Sequence, residues 1–238
     1  MKFKWLALMV AGVCAASLTN ASAISTTTTF GSLPSATFGG SGIPNGQVEI
    51  TTISGISDPY VQSGSDTITI GESAHARFAT PGNLANNGNG TYFADPGLQS
   101  GKALWNFDFD VSSSAGFIAR YTFTLTYGLE GGASTTINLL SSFGDSTGGP
   151  GSAQNSMNLG FLSQGGPIGF DPNQLGIYDF TINAYEGDTH LGSDTVHINV
   201  GSVPDGGNTL GLLGTSLACI GFGVYIKRKP ARSAAVAA

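Results

Sequence analysis

The chain has 238 residues, 36 of them glycine, and carries nine basic against 15 acidic side chains, for a net charge of −6. Residues 24–202 hold three of the basic and 14 of the acidic residues, and a formal charge of −11 excludes nucleic acid and disfavours anionic membrane surfaces as partners. Both cysteines, Cys14 and Cys219, lie in apolar terminal stretches, so the region between them has no disulfide and must be held by packing, with or without a cation.

The N-terminus has the three parts of a secretory signal peptide. Two lysines precede a mostly apolar run, and residues 21–23, Ala-Ser-Ala, have the small-x-small spacing that signal peptidase reads. The sequence therefore predicts a signal peptide over residues 1–23, cleaved by signal peptidase, and a mature start at Ile24. Cys14 leaves a lipoprotein signal as an alternative, although the preceding residue is valine rather than a small residue.

Residues 24–46 are rich in Thr, Ser and Gly and are expected to be loosely ordered. The residues that follow show the two-residue period of half-buried strands, first in residues 104–111, where apolar odd positions alternate with polar even ones. Three further runs alternate in the same way: 121–127, 178–184 and 196–200. Weaker strand candidates are residues 47–53, 67–70, 77–79, 91–93, 135–139 and 157–161.

These many short strands, separated by glycine-rich turns, predict an all-β domain over residues 47–202. No segment shows a helical period, and parallel pairing would need long crossover connections that the sequence does not offer. We therefore expect an antiparallel β-sandwich. The strands at 177–185 and 194–200 are expected to be neighbours, joined by a loop longer than a tight hairpin.

Asp108 and Asp110 are the best candidates for chemistry in this domain. Two residues apart on one strand, they share a face and lie about 6.5 to 7 Å apart by strand rise. Three interpretations remain: the polar outer face of a strand, a Ca²⁺ site, or the paired carboxylates of a glycosidase. Trp105 shares the phase of Phe107 and Phe109, which predicts a core position rather than an exposed platform for a sugar.

Other motifs in the domain carry no catalytic signal. Residues 97–102, Gly-x-x-x-Gly-Lys, are one residue short of a phosphate-binding loop and are predicted to form a turn. His75, His190 and His197 are widely spaced and are expected on the solvated surface. The chain has neither a His-Glu-x-x-His nor a Gly-x-Ser-x-Gly sequence, so zinc hydrolysis and serine esterase chemistry have no local support.

The last 36 residues read as a delivery signal. Val203, Pro204, Asp205, Gly206 and Gly207 precede an uncharged stretch, which is followed by Lys227, Arg228 and Lys229. Seventeen uncharged residues, 210–226, reach about 25 Å as a helix, enough to span a bilayer core with a few flanking residues, so we expect a transmembrane helix at about 208–226. The basic cluster places residues 227–238 in the cytoplasm and the bulk of the chain outside.

This tail resembles the C-terminal sorting signals of PEP-CTERM proteins, in particular the variant with a Val-Pro-Asp-Ser-Gly core. The resemblance implies that an exosortase, a membrane cysteine protease of Gram-negative bacteria, cuts at or near residues 203–207 and releases the domain. The chain departs from that variant at Gly206, where Ser is usual, and in the extension 230–238. A permanent single-span anchor without cleavage is the alternative.

The domain also resembles an uncharacterised group of exported PEP-CTERM proteins, through residues 103–109, 154–161 and 176–185. That group supplies no catalytic residues. We therefore expect a non-enzymatic surface or matrix protein that passes through the inner membrane, is cut by exosortase and associates with exopolysaccharide at the cell surface or outside the cell. The alternatives are a calcium-dependent carbohydrate-binding module, with Ca²⁺ at Asp108 and Asp110, and a secreted glycan-acting enzyme. The first interpretation requires no cofactor.

Overall fold

The computed structural model describes residues 23–58, 64–78, 82–143, 149–158, 171 and 173–201. The predicted signal peptide, the motif at 203–207, the apolar stretch and the basic residues 227–229 lie outside the described residues. Among the residues it describes, no helix is both long and apolar enough to cross a membrane.

Two six-stranded sheets, sheet A and sheet B, make up the fold. Sheet A contains, in spatial order, β1 (Ser25–Gly31), β2 (Val48–Ser57), β3 (Ser65–Ala76), β9 (Trp105–Ser113) and β12 (Ser152–Met157), and β4 (Gly82–Asn83) also pairs with β3. Sheet B contains β11 (Ser134–Asn138), β10 (Thr122–Leu129), β13 (Gly176–Glu186), β14 (Thr189–Val200), β6 (Thr91–Ala94) and β5 (Ala85–Asn86). The all-β prediction is confirmed.

The remaining elements are short. β7 (Leu98–Gln99) and β8 (Lys102–Ala103) form the turn predicted at 97–102, and the helical elements are a 3₁₀ turn (Ile118–Arg120) and α1 (Leu139–Phe143). Among the described strands the pairings are antiparallel except that of β14 with β6, in which His197 to Val200 run alongside Thr91 to Ala94. A parallel pair needs a long connection, and here it is the whole chain between β6 and β14.

The core lies between the sheets and is built from the alternating runs. Phe107 of sheet A stacks on Phe180 of sheet B with ring centroids 4.3 Å apart, and Trp105 meets the edge of the same ring at 6.2 Å. Each fully buried aromatic side chain stabilises the fold by about 1.5–3 kcal/mol through its removal from water. These contacts join the two layers.

Three predicted boundaries are wrong. β14 begins at Thr189, so β13 and β14 form a tight hairpin whose turn is Gly187-Asp188, not the longer loop that was expected, and the pair has a bulge at Ala184/Tyr185. The strand expected to begin at Met157 is β12, which begins at Ser152 and ends at Met157, and residues 159–161 of that prediction lie outside the described residues. β3 ends at Ala76, so Arg77 and Phe78 are not in a strand.

The prediction that residues 24–46 are loosely ordered is also wrong. β1 pairs with β2 along its whole length, from Ser25 with Ser54 to Gly31 with Val48. Residues 32–46, here called the cover segment, lie over the outer face of sheet A and form a second small core. Its buried members are Ala36, Phe38 and Val48, with Leu33, Ile43 and Ile50 packed around them.

Candidate functional site

β9 turns its aromatic side chains inward and its aspartates outward. Trp105 is 1% exposed and Phe107 is fully buried, which confirms the predicted core position of Trp105. Asp108 and Asp110 lie on the opposite face, directly across from Ser73 and Gly71 of β3. Both aspartates are buried, at 0% and 3% exposure, so this outer face of sheet A is not a solvated one.

His75 holds Asp108 on that face. Its Nδ1 lies 2.6 Å from Asp108 Oδ2, and only 6% of the residue is exposed, so the prediction of a solvated His75 is wrong. Burial raises the pKa of Asp108, while the hydrogen bond and charge of His75 act to lower it. His190 is exposed as expected, and His197 is partly exposed, with Nδ1 2.7 Å from Asp179 Oδ1.

An amide network continues from this pair. Asn106 Nδ2 donates to Ser156 Oγ over 2.7 Å, and Asn158 Nδ2 lies 2.9 Å from Asn106 Oδ1. Ser156 also acts to lower the pKa of Asp108. Ser156 Oγ accepts from Asn106 and the imidazole pairs with Asp108, so these hydrogen bonds do not build the Ser-His-Asp relay that a serine nucleophile requires. The network fixes the start of β9, since Asn158 also bonds the backbone of Ala103 in both directions.

Asp110 lies under the cover segment. Its cross-strand partner Gly71 has no side chain, and Leu33 of the cover segment fills that space: a Cβ on Gly71 would lie 2.4 Å from Leu33 Cδ2. Thr37 of the cover segment anchors next to it, donating its backbone N–H to Gln154 Oε1 over 2.7 Å. Burial raises the pKa of Asp110 to about 6.

A second set of carboxylates lies on the inner face, and sequence reasoning missed it. Glu49 of β2 is the direct cross-strand partner of Glu72 of β3. Asp194 approaches from β14 in the other sheet, where Thr51 Oγ1 donates to Asp194 Oδ1 over 2.9 Å. The three are 7%, 0% and 4% exposed. They are called the interior carboxylate cluster below.

Four oxygens of this cluster lack hydrogen-bond partners. Both oxygens of Glu72, Oε2 of Glu49 and Oδ2 of Asp194 are buried without a hydrogen bond. Burial raises the pKa of Glu72 well above its usual value, and the neighbouring charges of Asp194 and Glu49 add to the effect. Burial likewise raises the pKa of Glu49, and it raises that of Asp194 to about 6.

Asp66 shows what a satisfied buried carboxylate looks like in the same fold. It is 1% exposed and accepts five hydrogen bonds, from the hydroxyls of Ser113, Ser114 and Tyr121 and the backbone N–H groups of Thr67 and Ala115. Although burial alone would raise its pKa, those bonds lower it to about 2. Asp66 is a structural tie between β3, the end of β9 and the residues after it.

The sequence held a signal for the interior carboxylate cluster. Glu72 stands in phase with Ile68 and Ile70, and Asp194 in phase with Val196 and Ile198. An acid in the apolar phase of a strand points into the core. The periodicity does not predict that these positions, which lie on two different sheets, come together.

Comparison of the chain with family models, with curated proteins and with solved structures finds no match. Within the described residues, no three His, Cys, Asp or Glu side chains converge closely enough, as they stand, to ligate one metal ion.

Proposed function

We propose that the protein is a non-enzymatic surface or matrix component of a Gram-negative bacterium, exported through its signal peptide and sorted through residues 203–238. The observation that carries the proposal is the order of the tail: the Val-Pro-Asp-Gly-Gly motif, an uncharged stretch and a basic cluster. Residues 24–202 form the delivered part, a β-sandwich whose charge of −11 suits a hydrated, polysaccharide-rich surrounding.

The end of the fold supports cleavage at this motif. β14 ends at Val200, and Gly201 donates its backbone N–H to Ala94 O over 2.9 Å. The last described strand thus ends before Ser202, and the motif begins at Val203. A cut within 203–207 leaves every described strand in place, so the released domain keeps its core.

The positions of the two predicted candidate carboxylates favour a structural role over sugar chemistry. A glycosidase acid or a calcium-bridged sugar ligand must touch its carboxylates. Asp108 and Asp110 are buried, the first against His75 and the second beneath the cover segment. A glycan reaches neither without displacing part of the fold, which is why we place the lectin and the glycan-acting enzyme behind the matrix protein.

The sorting part is tested by the intact mass of the protein from its host, measured in membrane and extracellular fractions. We expect a species that begins near Ile24 and ends within 203–207. The double substitution Pro204→Ala and Asp205→Ala should shift the protein to the full-length membrane form, whereas Asn208→Ala, just outside the motif, should not. A wild-type protein that stays in the membrane and retains residues 210–229 would contradict sorting and establish a permanent anchor.

The matrix part is tested by co-sedimentation of the released protein with exopolysaccharide isolated from the same host. We expect the protein in the pellet with the polymer and in the supernatant without it. An equally acidic exported protein of similar size serves as a control for charge. Equal distribution with and without the polymer would contradict association with exopolysaccharide.

A further inference from the structure

The interior carboxylate cluster gathers three negative groups from two sheets. Glu49 and Glu72 are paired across β2 and β3, so their Cβ atoms stand about 4.5–5.5 Å apart on the same face. Asp194 faces them from β14, and its link to Thr51 ties it to the strand that carries Glu49. Any positive charge placed between these groups would therefore join sheet A to sheet B.

In the described part of the chain, Arg77, Arg120 and His197 have their bonded partners outside the cluster. Arg120 pairs with Asp58 at 2.6 Å and with Glu186, and Arg77 bonds Asn106 on the outer face. His197 acts on Glu49 at a distance, but its ring pairs with Asp179. Tyr92 points its hydroxyl to the backbone carbonyl of Gln47, 2.7 Å away, rather than to a carboxylate.

Glu72 is the member of the cluster with the fewest interactions to stabilise a charge. It is fully buried, and neither of its oxygens has a hydrogen-bond partner. A charged carboxylate in this state costs several kcal/mol unless a cation or a proton neutralises it. Asp66, with five donors, shows that a buried carboxylate in this fold can have a complete hydrogen-bond shell, which Glu72 lacks.

We propose that the interior carboxylate cluster binds one divalent cation, Ca²⁺ by preference, which braces the two sheets. The available metal ligands are carboxylate oxygens and the hydroxyl oxygen of Thr51. These are the hard oxygen ligands that Ca²⁺ binds in flexible geometry. The brace replaces the disulfide that residues 24–202 cannot form. The site is separate from Asp108 and Asp110, which lie on the other face of sheet A.

Binding an ion requires the ligands to move. As they stand, the carboxylates are too far apart to share one, so Glu49 and Glu72 must turn about their side-chain torsions. The Glu49 carboxylate lies against Gly90, where a Cβ would come within 3.2 Å of its carbon, so a side chain at position 90 would crowd it. Glu49, at 7% exposure the least buried of the three, marks the side from which the ion enters.

The proposal is tested on the full chain purified in a non-ionic detergent at pH 7.5. Calorimetric titration with CaCl₂ should show one ion per chain with a dissociation constant of about 10⁻⁴–10⁻³ M, as in extracellular calcium modules. At 10 mM CaCl₂ the melting temperature should exceed that in EGTA by about 3–10 °C. MgCl₂ should give a smaller shift, since Mg²⁺ demands a rigid octahedral site.

Two isosteric variants separate this site from diffuse binding to an acidic surface. Glu72→Gln should abolish the calcium shift and, because an amide of the same shape needs neither a proton nor a cation to neutralise it, should melt in EGTA at or above the wild-type temperature. Asp110→Asn removes a buried carboxylate on the opposite face and should keep the full shift. A wild-type melting temperature equal in CaCl₂ and EGTA, or a shift that survives in Glu72→Gln, overturns the proposal. Processing at the C-terminus does not enter these measurements, so the outcome is independent of the sorting proposal.

Discussion

His75 Nδ1 and Asp108 Oδ2 are 2.6 Å apart on the outer face of sheet A, and the other oxygen of Asp108 has no partner. The pair ties neighbouring strands, since His75 lies on β3 and Asp108 on β9. Removal of one member leaves the other buried and unmatched, which is the costly way to break such a pair. The His75–Asp108 contact therefore holds β3 and β9 together, and loss of either side chain is expected to destabilise the fold.

We expect His75→Ala to lower the free energy of unfolding by about 2–4 kcal/mol, because it leaves Asp108 buried without its partner. Urea denaturation at pH 6 measures the loss. His190→Ala, at an exposed position of β14, is the matched control and should change the value by less than about 0.5 kcal/mol. Equal effects of the two substitutions would show that the His75–Asp108 contact does not stabilise the fold.

In metal-free buffer the domain should lose stability as the pH rises from about 4 to about 7.5. Asp110 and Asp194 have folded pKa values of about 6, against 3.8 for the free side chain, so folding retains protons that the unfolded chain releases. Their stabilisation is fully present below about pH 4 and is lost as the pH passes through about 6. For each group, the rise in pKa from 3.8 to about 6 corresponds to about 3 kcal/mol at most.

Urea denaturation in EDTA at several pH values measures this decline. Asp110→Asn should make the decline of stability with pH shallower, because it removes one of the two groups whose pKa is raised. Asp95→Asn, at an exposed position, should leave this decline unchanged. A wild-type stability that is flat or rises over this range would contradict the prediction.

Asp66 should act in the opposite sense. Its pKa is lowered to about 2 by five donors, so its contribution is present above about pH 4 and is lost as the pH falls toward 2. Asp66→Asn should cost about 2–4 kcal/mol at pH 6, because the hydroxyl and backbone donors lose their acceptor. Tyr121→Phe removes one donor at 2.7 Å and should cost about 1–2 kcal/mol. If both variants unfold at the wild-type urea concentration, the shell around Asp66 is not stabilising.

Phe38→Ala should detach the cover segment. Phe38 is fully buried in the small outer core. Truncation of such a side chain lowers the free energy of unfolding by about 3–5 kcal/mol when the small core unfolds together with the two sheets. We expect faster proteolysis within residues 32–46 and a pKa of Asp110 that falls from about 6 toward its ordinary value, measured by NMR titration. Phe117→Ala, 65% exposed, is the control. A Phe38→Ala protein whose cover segment resists protease would contradict the assigned packing.

The sequence predicts well those features that depend on local alternation. The runs that became β9, β10, β13 and β14 carry a clear two-residue period, which any strand with one buried face shows. β1 was missed because its Ser-Thr-Thr-Thr-Thr-Phe-Gly has no apolar alternation, and its pairing with β2 decides its structure. The packing of the cover segment was missed for a related reason, since its small core forms only when Phe38 packs against Val48 of β2.

The carboxylates show the same limit. That Asp108 and Asp110 share a face follows from strand geometry, but their burial depends on what covers that face, which periodicity does not report. That Glu72 points inward could be seen from its phase with Ile70. Its meeting with Asp194 depends on how one sheet stacks on another, a long-range relationship that no local pattern encodes.

The last strand of the domain lies inside a sheet rather than at its edge. β14 pairs with β13 on one side and with β6 on the other, so sheet B stays open between those two strands until residues 189–200 arrive. A chain synthesised from its N-terminus can therefore not complete sheet B before β14 is made. Pairing between distant segments also slows folding. A chain that ends short of β14 leaves Tyr92 and Phe180 without the strand that joins them.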